Sequence, residues 1–246
     1  MLSNFLNTFL YEPLVNALAF LVSIVPGGDV GLAVIMLTIF VKLAHYPLSQ
    51  KSIESQLKMN DLAPELKKIK ASGASKEEQA RQTFELYKQT KTNPFSGCLL
   101  VLIQIPIIFA LYYVFLKGLN IDNGLLYSFV QIPDTINMNF LGILDIGGKS
   151  VILAFLAGVS QYIQAHFMPK PPIPEKSDKP GGSFQENFAK SMHTQMKYVF
   201  PVVVAFISYT VSGAVALYWI TSNMFAIGQQ IYANKKKLKL DLEKKA

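Results

Sequence analysis

Lys42 carries a charge where charge is expensive. It sits inside Val30 to Leu48, a stretch otherwise apolar enough to enter a bilayer. An ammonium at membrane depth needs a compensating environment. Thr38, Lys42, His45 and Ser49 recur at i, i+4, i+7 and i+11, which places them on one side of a helix. Ile35, Leu37, Ile39, Phe40, Val41 and Leu43 occupy the other faces. The pattern predicts a membrane helix with one wet, cationic stripe.

Two readings of Lys42 compete. A lysine near a helix end can snorkel to the nearest headgroups, and Leu48 lies only about 9 Å further along by helical rise. Against this, side chains lean toward the helix N-terminus, which here points away from the nearer interface. A lone snorkelling lysine also has no need of Thr38 and His45 on its face. The second reading is a buried, hydrated cavity. No Asp or Glu falls inside an expected span, so amides and hydroxyls must solvate the ammonium. Gln104, Gln161, Gln164, Tyr218, Trp219, Ser222 and Asn223 are the candidates on other spans. A cationic, wet site without a counter-ion invites an anionic guest, either a small anion or an acidic peptide segment. A cation carrier would want a membrane carboxylate or facing half-helices instead.

Other chemistry finds little support. Cys98 lies among apolar residues, which makes a thiol inert. One cysteine excludes an intramolecular disulfide. The three histidines show no metal-ligand spacing, and there is no P-loop. No catalytic constellation is present and no cofactor or metal is expected. His45 could tune the cavity charge with pH, since an unperturbed imidazole titrates near pH 6.5, or it is simply a polar residue near the membrane exit.

The elements that position these residues follow from hydropathy and charge. Half the 246 residues are hydrophobic and 16% are charged, which indicates an all-α polytopic membrane protein. Residues 1–29 hold no Lys or Arg, so no secretory n-region is present and the chain is expected to be uncleaved. They read as an interfacial amphipathic helix divided by Pro13. The first span is 30–48, ending at Tyr46-Pro47. Residues 49–92 read as a charged helical hairpin, with Ser75 and Glu78 as a capping box for its second helix. The second span is 95–116 and the third 150–168, joined by an outer connection over 117–149. Residues 169–193 form a loop. The uncharged run Tyr198 to Asn234 would rise roughly 55 Å as one helix, against a hydrocarbon core of about 30 Å. It must break near Val211-Ser212-Gly213-Ala214, giving spans over 194–211 and 213–233. Residues 234–246 form a basic tail.

Charge orients the chain. Residues 49–92, 169–190 and the tail hold nine, four and six Lys/Arg, while 1–29 and 117–149 together hold two. The positive-inside rule puts the three basic segments in the cytoplasm. The result is five spans with the N-terminus outside and the C-terminus inside. A juxtamembrane basic tail is suited to anionic lipid.

Three strings carry a resemblance. NPFSGCLLVLIQIPIIFALYYVF (93–115) resembles the second core span of the YidC/Oxa/Alb membrane protein insertases, IFVKLAHYPLSQKS (39–52) their first, and SGAVALYWITSNMFAIGQQIY (212–232) their last. The likeness runs from about residue 13 to near the end, and the three motifs occur in the same order. It implies an insertase without catalytic residues or cofactor. In that family five helices surround a hydrophilic groove, open to the cytoplasm and lipid and closed outside. Lys42 occupies the position of a groove residue that is usually Arg. Lysine keeps the charge and loses the planar fork that holds a carboxylate bidentately. Thr38, Gln104, Gln164 and Trp219 fall at positions similar to other groove residues. Parts of 150–168 and 213–233 match the family's apolar slide, and the chain resembles a minimal core bacterial form. The implied partners are nascent membrane proteins, the ribosome through the basic tail, the Sec translocon and the signal recognition particle pathway, with the chain working as a monomer. The competing class is a small-anion channel or transporter using the same cavity. The large basic hairpin has no place in that reading, and no pair of similar halves is evident.

Overall fold

The computed structural model describes residues 7–93, 104–110, 112–113, 126–131, 135–169 and 191–243. Most of the expected second span and the loop 170–190 therefore lie outside the described residues, as do Cys98, Lys244 and Lys245.

Helix α1 (Glu12–Ile24) follows a π-helical turn at Asn7–Tyr11. Pro13 opens this helix rather than dividing it, because a first-turn position needs no N–H. Leu14, Val15, Leu18, Ala19 and Val22 are buried and α1 packs on α2 (Val30–Ala44). Asn16 ties α1 to the connection over 117–149: its Oδ1 accepts from the Tyr127 N–H at 2.7 Å.

The expected first span is not one straight helix to Leu48. Helix α2 ends at Ala44 and α3 begins at Tyr46 (Tyr46–Asp61), bent from it by 62°. Pro47 supplies the reason. It has no N–H for the helical ladder, and its ring would strike the carbonyl four residues back, yet it fits the first turn of a new helix. The charged hairpin is built from α3, α4 (Ala63–Ala71) and α5 (Lys76–Gln89). Ser75 Oγ accepts from the Glu78 N–H at 3.3 Å. The Glu78 carboxylate is taken by Arg81 and Gln82, so the Ser75 half of the capping box is what forms here. Arg81 and Gln82 hold that carboxyl below its usual range. Helix α5 buries none of its residues.

Helix α6 (Val151–Phe167) packs against both α7 (Phe200–Val211) and α8 (Gly213–Glu243). Ser212 is extended and makes the expected break between α7 and α8. Helix α8 does not stop at residue 233. It runs without interruption through Lys235-Lys236-Lys237, since its Lys, Leu and Glu are strong helix formers and no Gly or Pro follows Gly228.

The connection over 117–149 corrects the all-α expectation in one place. Strands β1 (Asn139–Phe140) and β2 (Leu144–Asp145) pair antiparallel through a tight turn at Leu141 and Gly142. This hairpin is clamped onto two helix starts. Asn137 exchanges backbone hydrogen bonds with Gly28 and Val30, and Ile146 and Gly148 accept from Ala214 and Gly213. Asp29 caps α2 through the Leu32 N–H at 3.1 Å and also accepts from Leu141 N–H at 2.8 Å. The Phe140 ring lies so close over Gly31 that any Cβ there would overlap it. Ile146 is fully buried at this junction.

The core runs between α1, α2, α6 and α8, through Leu18, Val30, Val34, Leu37, Ala157 and Ala216. The outward faces are apolar as well: Val151, Ile152, Phe155, Val202 and Phe206 are each more than 60% exposed. A contiguous apolar exterior of this kind belongs in a lipid or protein environment rather than in water. Among the described residues no single helix is long and apolar enough to cross a bilayer unaided, whereas α2 and α3 qualify as a bent pair.

Candidate functional site

Lys42 lies in the last turn of α2, and the bend at His45 turns α3 away beside it. Beside the bend lies a cavity of about 280 Å³. Its polar wall draws on four of the neighbouring helices and the stretch 104–110. Lys42 and His45 come from α2 and the bend, and Ser49 and Gln56 from α3. Gln104 comes from the helical stretch 104–110, and Gln161 and Gln164 from α6. Trp219, Ser222, Asn223, Gln229 and Gln230 come from α8. Ile105, Ile108, Met196 and Phe200 supply apolar wall.

The Lys42 ammonium donates to Gln104 Oε1 at 3.3 Å. No carboxylate occurs among the described residues lining the cavity. An amide oxygen offers a partial negative charge and leaves the formal charge uncompensated. The Nδ1 of His45 lies 2.8 Å from the Val41 carbonyl, which can only accept, so Nδ1 carries a proton and the neutral ring's Nε2 is the acceptor. Gln161 Nε2 donates to Gln164 Oε1 at 3.1 Å, and Asn223 Nδ2 to Ser160 Oγ at 3.0 Å. Ser160 in turn donates to the Ala157 carbonyl. The Asn223–Ser160 bond pins α6 to α8, while the Gln161–Gln164 pair lies along α6 and turns its amides to the same volume. Among the described residues no cluster of His, Cys, Asp or Glu is suited to a metal ion.

Nine residues anticipated from sequence thus meet around one cavity: Lys42, His45, Ser49, Gln104, Gln161, Gln164, Trp219, Ser222 and Asn223. Thr38 and Tyr218 do not line it. Thr38 is buried, and its hydroxyl donates to the Val34 carbonyl at 2.7 Å, the usual resort of a mid-helix threonine in apolar surroundings. The Tyr218 hydroxyl is buried near Ser222, short of hydrogen-bond geometry. Gln229, Gln230 and Gln56 are additions to the expected wall. The α8 pair had a legible signal, since Trp219, Ser222/Asn223, Ala226 and Gln229/Gln230 follow one helical stripe.

A family model described as 60Kd inner membrane protein matches residues 20–240. The chain belongs to this family. Proteins named membrane protein insertase YidC are similar to it over most of its length. The one from Clostridium tetani is 32% identical, covering 98% of this chain and 99% of its own. That of Fusobacterium nucleatum is 31% identical over 93% of this chain and 98% of its own. That of Vesicomyosocius okutanii is 35% identical over 92% of this chain and 36% of its own length. Membership of an inner membrane family accounts for the apolar exterior.

Proposed function

We propose that this protein is a membrane protein insertase that takes the short polar end of an incoming chain into the Lys42 cavity while the chain's apolar segment enters lipid. The observation that carries this reading is a cationic, amide-lined cavity whose ammonium has Gln104 and no carboxylate as its partner among the described lining residues. Its relatives' name supports the same activity.

In this reading the chain crosses the membrane five times, over 30–48, 95–116, 150–168, 194–211 and 213–233, with its N-terminus outside and its C-terminus in the cytoplasm. Thr38, Lys42, His45, Gln104, Gln164, Tyr218, Trp219, Ser222 and Asn223 make up or support the groove. Lys42 attracts an acidic end electrostatically, and the amides hydrate polar residues partway across, shortening the distance they travel dry. The clamped hairpin 135–148 keeps the outer end closed. Burial of the apolar segment in lipid supplies the driving force. No nucleotide, metal or other cofactor enters, and no bond is made or broken. The nascent chain is the substrate, the ribosome docks in part through the basic tail, and the Sec translocon and signal recognition particle pathway are further partners of a monomer.

Reconstitution of the purified chain in liposomes tests this. A short single-span substrate is expected to insert, with no anion current. Anion flux without insertion would replace the insertase with a small-anion channel.

A further inference from the structure

The cytoplasmic wall of the cavity is a seam between two helices that run alongside each other, and its rungs change character along its length. Nearest the bend, the Tyr46 ring meets Phe225 edge-on, with centroids 6.5 Å apart. Next, Gln229 Nε2 donates to Ser49 Oγ at 2.8 Å and to the Tyr46 carbonyl at 3.4 Å. Further out, Lys236 pairs with Glu54 at 3.2 Å. Last, Lys237 pairs with Asp61 and donates to the Leu57 carbonyl at 3.0 Å. The sequence of rungs is aromatic, amide, then ionic. Ser49, Ile53 and Gln229 face the cavity, so the seam is that cavity's wall.

We infer that this seam is a latch controlling cytoplasmic access to the Lys42 cavity, and that it opens from its ionic end. The inference takes its purpose from the insertase reading, but its physics stands apart from it. The Lys236–Glu54 pair is exposed, with side chains 51% and 40% accessible, and in the second pair an exposed Asp61 (59%) meets a half-buried Lys237 (28%). Exposed pairs are individually weak and are screened by salt. Inside them, a single glutamine holds Ser49 and the Tyr46 carbonyl. At the other end of α3 the chain turns through 62° at His45, where Pro47 removes a ladder hydrogen bond. A helix anchored by weak outer rungs and hinged at its inner end swings as a unit once those rungs part. The outer mouth is built differently. It is held by backbone hydrogen bonds and the buried Asp29 carboxylate, with no ion pair among its described contacts. The weaker of the two closures therefore faces the side from which the substrate comes.

The tail lysines thus have two roles that exclude each other. Lys236 and Lys237 cannot hold Glu54 and Asp61 and bind another anion at the same moment.

The test uses the full-length chain in liposomes of zwitterionic lipid, with Cys98→Ser and a reporter Ala226→Cys inside the cavity. The readout is the labelling rate by a membrane-impermeant maleimide added from the cytoplasmic side. Glu54→Lys with Asp61→Lys should label several-fold faster. Adding Lys236→Glu and Lys237→Glu, which restores opposite charges in swapped positions, should return the rate to that of the parent. An unchanged rate in the double variant, or no recovery in the swap, overturns the latch. A second measurement avoids any folding defect of charge reversal. Raising salt from about 0.1 M to about 1 M shortens the Debye length from about 10 Å to about 3 Å and should speed labelling of the parent. Glu54→Gln with Asp61→Asn should lose most of that salt response, and an equal response in both overturns the latch. Labelling needs no substrate. A chain that labels as expected yet inserts nothing would sink the insertase reading and leave the latch. The opposite result would sink the latch alone.

Discussion

Changing the charge at Lys42 separates electrostatic capture from simple hydration. A guest carboxylate about 6 Å from the ammonium, in a hydrated cavity of effective dielectric about 40, gains about 1.4 kcal/mol, which is about tenfold in occupancy. Lys42→Ala should therefore slow insertion of a substrate with one acidic residue in its translocated end by about tenfold. Lys42→Glu turns the attraction into repulsion of similar size and should slow it by about a hundredfold. Lys42→Arg keeps the charge and should stay within about threefold of the parent. The amide wall of Gln104, Gln164 and Asn223 remains in each variant, so a substrate whose end is neutral should change by no more than about threefold, and a basic end should favour Lys42→Glu. The assay is single-turnover insertion of matched substrates differing in that one residue, into liposomes, read by protease protection. If acidic and neutral ends lose rate equally across Ala and Glu, attraction is not the mechanism. If neither loses rate, Lys42 is reduced to a residue that reaches for headgroups.

Three further outcomes follow from the geometry. Asp29→Ala removes the acceptor for both the Leu32 and Leu141 N–H groups and should cost about 1–3 kcal/mol, read as faster amide hydrogen exchange over 137–146 and a lower thermal midpoint. Gly31→Leu forces a side chain into the Phe140 ring and should destabilise by about 1–3 kcal/mol, whereas Phe140→Ala in the same chain should relieve part of that loss. In acid, below about pH 4.5, the latch should weaken. The Glu54 carboxyl is held below its ordinary 4.5 chiefly by the Gln50 amide, against a smaller opposing effect of burial, with the Lys236 ammonium helping. A depressed carboxyl contributes stability above its unfolded value and loses it as pH falls through the folded one. Exchange protection in α3 should therefore drop below about pH 4.5, and Glu54→Gln should flatten that drop.

Much of this site was legible in one dimension. Lys42 stood out because apolar neighbours made its charge costly, and helical periodicity put His45 and Ser49 on its face. Charge-free runs located the segments that became α2, α6, α7 and α8, and the Ser212 break followed from a run too long to cross once. What periodicity could not supply was the partner of each polar group, because hydrogen bonds between Gln104 and Lys42, or Gln229 and Ser49, join residues 62 and 180 positions apart. Thr38 illustrates the limit: its position on the stripe was right, but its hydroxyl satisfies itself on the preceding turn and never reaches the cavity.

The sequence by itself determined which residues lipid would tolerate and which would need each other, since transfer free energy depends on composition. The tertiary structure alone decided the rest. It bent the chain at His45 and set a cavity beside Lys42. It carried α8 on as one helix so that Lys236 and Lys237 meet Glu54 and Asp61. It folded 135–148 onto two helix starts. Each of these rests on close approach of distant segments, where one Cβ at Gly31 or one carboxylate at Asp29 settles the outcome, and such contacts leave no period in the sequence.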